Sequence, residues 1–415
     1  MIKHQSLTAP KSSITACIAW RLAFLACIGA SISACSTLPG WMILQGKSSI
    51  GDFRHFDNAP ITKSAIPQIL PSEAVPLNFG KLIGENSTQT DTWLQAHDTV
   101  AFIVLRRGKV VYERYMNGYA RDSITTAFST AKSIVSALLG IAINEGSIRS
   151  VDDPLTVYLP ELLKNDARFA NITLRDLLQM RSGIAFNEGY GSPFAHAAKF
   201  YLTDDLPVEV AKLGIATAPG QSYSYKSGDT QLLGMALQRA TGMTLAAYAQ
   251  SRLWHPMGAE FDASWSMDSS KSGINRAFCC VNARAVDFAR FGQLFLNGGQ
   301  VAGKQIVPSA WVTQSTSALT LAGTDEASRH NIEGYGSFQT AFYAWQWRRA
   351  PQPNNDHMAT PVPGQDFYTQ GLYGQFIYVA PASDMVIVRF GRSTGGIFWP
   401  RWMGELARLN PPASQ

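Results

Sequence analysis

Residues 127–140 read "AFSTAKSIVSALLG", and the interpretation of the whole chain turns on them. After Lys132 the sequence runs from Ser133 to Asn144 without a charge, and Ile134, Val135, Leu138, Leu139, Ile141 and Ala142 cover most of a helical surface. A helix that is apolar nearly all round is buried. Its first turn nevertheless carries a lysine, three residues after Ser129. Residues i and i+3 share a helix face about one turn apart. A helix that begins near Ser129 places both groups in its positive N-terminal field, which disfavours an ammonium and favours an alkoxide. Burial adds desolvation, which can lower a lysine pKa by up to about 3–5 units. A neutral lysine can take a proton from serine, and a serine hydroxyl is a weak nucleophile without such a base. The competing interpretation is a first-turn serine cap beside a lysine that reaches out to solvent.

The rest of the chain excludes other chemistries. At 46% hydrophobic and 16% charged, 415 residues suffice for one large domain or two interleaved ones. The seven histidines form no HExxH and no other close ligand pair, so no metal centre is expected. One GxSxG string, Gly391 to Gly395 around Ser393, follows an apolar strand-like run. A nucleophile elbow needs its acid and histidine later in the chain, and no histidine follows Ser393, so a glycine-rich turn is expected there. Neither GxxxxGK[ST] nor GxGxxG occurs, so no nucleotide or other organic cofactor is implied. Basic clusters with interleaved aromatics are also missing, which argues against nucleic acid.

Lys3, Lys11 and Arg21 supply three of the five excess positive charges and precede an apolar run, "LAFLACIGASISA", residues 22–34. That run is shorter than the roughly 20 residues of a membrane span and fits a secretory signal. It ends in "ISAC", Ile32 to Cys35, which resembles the lipobox of bacterial lipoproteins. The resemblance implies lipidation of Cys35, a membrane anchor and export. Ser36 in place of an aspartate implies sorting to the outer membrane, facing the periplasm. Of the five cysteines, Cys17 and Cys27 would leave with the signal. Cys279 and Cys280 are adjacent, a disulfide between neighbours is strained, and two small unlinked buried residues are expected.

Beyond the signal (1–34), residues 35–90 read as a tether and irregular wrap. "TVAFIVLRRGKVVYERYMNGY" (99–119) is a hairpin about Arg107-Gly108, and residues 370–391 give a second one, followed by a helix near "WPRWMGELARL". "ITLRDLLQM" (172–180), "DTQLLGMALQRATG" (229–242), "LAAYAQSRL" (245–253) and "ARAVDFARFGQLFLNGG" (283–299) have helical spacing, with Gly242 as a stop. An α/β (α+β) fold is expected: an antiparallel sheet from both chain ends, 91–150 and 320–415, flanked by helices, with a mostly helical inserted domain over 151–319.

Ser-x-x-K at the start of a buried helix resembles the serine β-lactamases and penicillin-binding proteins, and more closely the class C β-lactamase and esterase branch. "ITLRDLLQMRSGI", "PGQSYSYKSGDTQLLGMALQRATG", "LWHPMG" and "VDFARFGQLFLNGG" follow in that family's order, over roughly residues 95–405. Tyr115, Tyr190, Tyr225 and Tyr335 all satisfy Tyr-x-Ser/Asn, but only Tyr225 carries the flanking Pro219-Gly220 and Leu232-Leu233-Gly234. The resemblance makes Tyr225 the partner of Lys132, a general base and then an acid. The family's late Lys-Thr-Gly is absent. Lys226-Ser227-Gly228 and Lys271-Ser272-Gly273 come too early. In its place "QGLYGQFIYVAP" resembles the aminohexanoate-dimer (nylon-oligomer) hydrolases, as does "NEGY" at 187–190. That likeness implies oxyanion-hole amides from Ser129 and Leu372, and substrate contacts from Tyr190, Gly371 and Tyr373. Ser227 is a further candidate for orienting the substrate or Lys132.

The function these features imply is a serine hydrolase that cleaves an ester or amide through an acyl-enzyme, without metal or organic cofactor. Loss of the late lysine, which helps bind a substrate carboxylate, argues against strong β-lactam hydrolysis. A D,D-peptidase or β-lactamase acting on cell-wall material, and a catalytically silent binding lipoprotein, remain as alternatives. The substrate and the oligomeric state are not encoded in any motif.

Overall fold

The computed structural model describes residues 42, 45, 47–83, 89–317, 343–350 and 365–412. The signal segment, the lipidation candidate Cys35 and Tyr335 lie outside the described residues. In chain order the strands that matter here are β1 (Asn58–Ile61), β2 (Thr99–Arg106), β3 (Lys109–Tyr115), β4 (Thr125–Thr126), β5 (Ala263–Ser266), β6 (Val281–Ala283), β7 (Arg348–Arg349), β8 (Phe367–Gly371), β9 (Gln375–Ala380) and β10 (Met385–Gly391). The principal helices are α1 (Ala131–Asn144), α2 (Ser227–Thr241), α3 (Ala285–Leu296) and α4 (Trp399–Leu409).

The main sheet has six antiparallel strands in the order β3-β2-β10-β9-β8-β7. Its first hairpin turns at Arg107 and Gly108, both at positive φ, as a two-residue turn of that hand requires. β2 and β10 lie side by side within the sheet and are covered on both faces, which explains their nearly continuous apolar sequences. Ala101, Ile103, Leu105, Val386, Val388 and Phe390 face one core, which α3 shares. Phe102, Val104, Met385 and Ile387 face the other, closed by Trp399, Trp402, Met403 and Leu406 of α4. Each large apolar side chain so buried contributes roughly 1.5–3 kcal/mol. The fold is thus a mixed helix and antiparallel-sheet architecture, as expected from the sequence.

A second, four-stranded sheet in the order β1-β5-β6-β4 was not expected. Its strands are two to four residues long, too short for a period-2 pattern to register. It recruits β1 from the stretch read as an irregular wrap, so that reading is corrected for Asn58–Ile61. Asn282 Nδ2 donates to Asn58 Oδ1 and to Ser264 and Ser266 Oγ at 3.0–3.2 Å, while Thr126 Oγ1 donates to Asn282 Oδ1. These bonds satisfy polar groups that would be costly to bury alone.

Three further expectations are adjusted. The 172–180 helix is confined to Leu174–Leu178, begun by a capping box between Thr173 and Asp176. The 245–253 helix widens after Ala249 into a π-turn over Gln250–Trp254. Cys279 and Cys280 are buried, as anticipated, but joined to each other. The backbone at Cys280 is left-handed, with φ 71°, where the chain turns sharply to carry both side chains together.

Candidate active site

β4 leads directly into the serine. Thr126 N donates to Ile50 O and Ala127 N donates to Val281 O, which hang the approach to the serine from the small sheet. Phe128 follows with φ +46°, a left-handed conformation that a bulky residue rarely adopts. Residues Phe128–Thr130 form a single 3-10 turn, and α1 continues from Ala131. Ser129 therefore stands at the tip of a strained strand-to-helix corner, half-buried, with an otherwise buried neighbourhood.

Every residue of α1 from Ala131 to Ala142 is buried, Lys132 included at 1% exposure. The lysine does not reach solvent. Its Nζ donates to Ser129 Oγ at 2.9 Å, to Phe278 O at 2.9 Å and to Ser227 Oγ at 3.2 Å. Three acceptors match the three hydrogens of an ammonium. An uncharged amine fits the same frame by donating to Phe278 O and Ser227 Oγ and accepting the Ser129 hydrogen. The geometry accommodates both states of a proton carrier.

Nζ also lies 4.9 Å from the centre of the Tyr225 ring. Tyr225 is half-buried and packs with Met180, Tyr223 and Tyr343. Ser227, two residues on, opens α2. Serine, lysine and tyrosine, 96 positions apart at the extremes, are thus gathered at one place, with Ser227 beside them.

Glu188 is a site residue that sequence reasoning missed. Ser227 N donates to its Oε2 at 2.7 Å and Ser227 Oγ to its Oε1 at 2.6 Å. The Tyr190 hydroxyl donates to the same Oε1. A chain of hydrogen bonds therefore runs from Lys132 through Ser227 to Glu188 and Tyr190. The signal was in "NEGY", but it was read for its tyrosine and not its carboxylate. Tyr190 is 56% exposed, with its hydroxyl turned inward. Desolvation of that end and the Glu188 carboxylate push its phenol well above the usual value.

Leu372 belongs to the turn between β8 and β9. Thr130 Oγ1 lies 3.2 Å from Thr369 Oγ1 and donates to Gln375 O at 3.3 Å, which ties this turn to the serine corner. A side chain on Gly371 would run into the Ala127 carbonyl, so only glycine permits the approach. Gln375 Nε2 braces the turn through Leu372 O and Gly391 O. Tyr373 is turned toward Phe128, 5.6 Å between ring centres, and its hydroxyl lies 3.0 Å from Ser48 Oγ. The Gly391–Gly395 string is a turn, in which Ser393 Oγ donates to Asp98 Oδ2 at 2.6 Å.

The profile of the Beta-lactamase family matches residues 90–397. A 6-aminohexanoate-dimer hydrolase of Paenarthrobacter ureafaciens is 28% identical over 303 residues, covering 70% of this chain and 72% of that one. Esterase EstB of Burkholderia gladioli is 27% identical over 176 residues, 38% of this chain and 44% of the esterase. Among solved structures, a Bacillus anthracis protein described as a candidate 6-aminohexanoate-dimer hydrolase superposes with a TM-score of 0.72 at 26% identity, covering 87% of this chain and 93% of that one.

Proposed function

The chain belongs to the Beta-lactamase family and is a hydrolase, and from that premise we propose that it cleaves an ester or amide through an acyl-enzyme on Ser129. The observation that carries this reading is the buried Lys132 amine 2.9 Å from Ser129 Oγ and 4.9 Å from the Tyr225 ring. In acylation, Oγ forms a bond to the carbonyl carbon as its proton passes to the Lys132–Tyr225 pair. The tetrahedral oxyanion is held by the amides of Ser129 and Leu372, each typically worth about 2.7–4 kcal/mol in the transition state. The pair returns the proton to the leaving oxygen or nitrogen, and water then opens the acyl-enzyme by the reverse transfers. Tyr190 lines the leaving-group side and Ser227 orients Lys132.

Relatives named for an aminohexanoate dimer and as an esterase support an ester or amide, neutral or differently charged from a β-lactam, as substrate. Neither the strand Phe367–Gly371 nor the turn after it carries a lysine for a substrate carboxylate. The test is a panel of p-nitrophenyl esters and anilides of varied acyl length, run beside a fluorescent penicillin. Turnover that disappears in Ser129→Ala, with the Tm unchanged, is expected. Stable penicillin labelling of Ser129 would favour a D,D-peptidase instead. Inertness to every substrate and to a fluorophosphonate would favour a silent binding protein.

We also infer an exported lipoprotein anchored through Cys35. "ISAC" supports it, and so does the Cys279–Cys280 bridge, which suits an oxidising compartment. Cys35→Ala should move the protein from the membrane fraction to the soluble one.

A further inference from the structure

The Tyr225 ring has a second cation beside it. The Arg348 guanidinium lies 5.3 Å from its centre and 5.6 Å from that of Tyr343. Arg348 is on β7, at the edge of the main sheet, in register with Tyr368 of β8, and only 7% exposed. This is one strand away from where a Lys-Thr-Gly lysine was sought and not found.

The segment that carries it is fixed to the catalytic helices. Ser133 Oγ of α1 donates to Gln346 O at 2.6 Å, and Thr230 Oγ1 of α2 donates to Gln346 Oε1 at 2.9 Å. Gln346 Nε2 donates to the carbonyls of Leu177 and Leu178 at 3.1 Å, from a left-handed backbone with φ 67°. A buried glutamine so fully used does not drift, and Arg348 two residues later inherits its placement.

The groups that face Tyr225 among the described residues are Lys132 from α1, Tyr190 from the loop before α2, Tyr223 from its own segment, and Tyr343 and Arg348. Lys132 and Tyr225 hand the proton between them in the proposed reaction. Arg348 alone keeps its charge throughout, because guanidinium does not deprotonate in proteins.

We propose that Arg348 is a positioning residue for Tyr225, a fixed positive charge that orients the phenol ring and stabilises negative charge on its oxygen while that oxygen exchanges a proton with Ser129. Its contact is of the cation–π kind. As Oγ bonds to the carbonyl carbon, the phenol passes its own proton to the Lys132 amine and takes the Ser129 hydrogen, and its oxygen is most negative between those two transfers. The same hydrogen then leaves with the alcohol or amine. This inference rests on the hydrolase reading above.

The test compares parent, Arg348→Gln and Arg348→Lys on the best ester of the panel, measuring kcat and KM from pH 5 to 10. Arg348→Gln should lose about 30-fold in kcat with little change in KM, and the acidic limb of its profile should move up by about one pH unit. The sign follows because removing positive charge makes the proton-accepting form of the phenol harder to reach at low pH. Arg348→Lys should stay within about fivefold of the parent and keep its limb, since charge matters more here than the planar fork. A glutamine variant with the parent's limb and kcat would overturn the proposal. So would a folded lysine variant as slow as the glutamine one with the limb unmoved, which would mark a packing residue. If Arg348→Gln does not fold, an Arg348→Lys variant slowed about 30-fold or more with its limb unmoved overturns the proposal. A parent inert to every substrate would instead refute the hydrolase reading, and this inference with it.

Discussion

Asp229 is completely buried on α2, two residues beyond Ser227, with Oδ1 accepting from Ser182 Oγ at 2.6 Å. Burial pushes its carboxyl up to about 7, against the pull of Lys226 and Ser182 in the other direction. The unfolded chain releases this proton near the ordinary carboxylate value of about 3.9, whereas the folded protein keeps it to about 7. Between those limits the folded state binds more protons, so stability falls as pH rises through the window and levels off above it, by up to about 4 kcal/mol. Asp229→Asn should flatten urea-unfolding free energies between pH 4 and 8. A variant with the parent's slope would contradict the assignment. Asp229 and Arg348 were invisible to sequence reasoning because their surroundings arise from distant packing, whereas Glu188 stood in a motif read for its tyrosine. The Phe278 carbonyl that binds Lys132 lies 146 positions away. That Ser129, Lys132 and Tyr225 lie together was legible because short spacings and flanking motifs mark them.

The elements best read from sequence were those whose burial pattern is continuous: β2, β10 and α1 are apolar runs because both faces or all sides are covered. One charge interrupts β10, and it organises the neighbouring turn. Arg389 is fully buried, stacked 4.4 Å over Trp399. Its guanidinium donates to the carbonyls of Tyr373, Gly374, His97 and Ser393 at 2.8–3.1 Å. Two of those carbonyls belong to the turn that holds Leu372. Arg389→Met would orphan all four, at about 1–3 kcal/mol for each that stays dry. A drop in Tm of about 10 °C or more is expected, at roughly 2–4 °C per kcal/mol for domains of this order of size. Below that temperature, kcat should fall more than KM rises, because the proposed mechanism draws one oxyanion contact from this turn. A Tm within a few degrees of the parent's would show that water replaces the guanidinium.

At the scale of the molecule, the sheet built from both chain ends was legible, and the small sheet that presents the serine was not. β1 pairs with β5 from 200 residues later, and no local pattern announces a partner so remote. The consequence is that the N-terminal segment is part of the scaffold that holds Ser129. Asn58 Oδ1 accepts from Ser264, Ser266 and Asn282, and Asn282 accepts from Thr126, which stands three residues before Ser129. Ile50 O also receives Thr126 N, so the same segment grips the serine corner twice. A chain that starts at residue 47 keeps both grips and should hydrolyse its substrate at the parent rate. One that starts at residue 63 loses both, exposes the edge of β5 and takes from the Ser264 and Ser266 hydroxyls their Asn58 acceptor. It should melt lower by about 5 °C or more and lose most of its kcat. Asn58→Ala in the longer chain separates the two causes. It breaks the polar network while leaving the Ile50 bond, so it should lower Tm while retaining more activity than the shorter chain. Equal rates from both truncations would show that the small sheet holds the serine corner without its first strand.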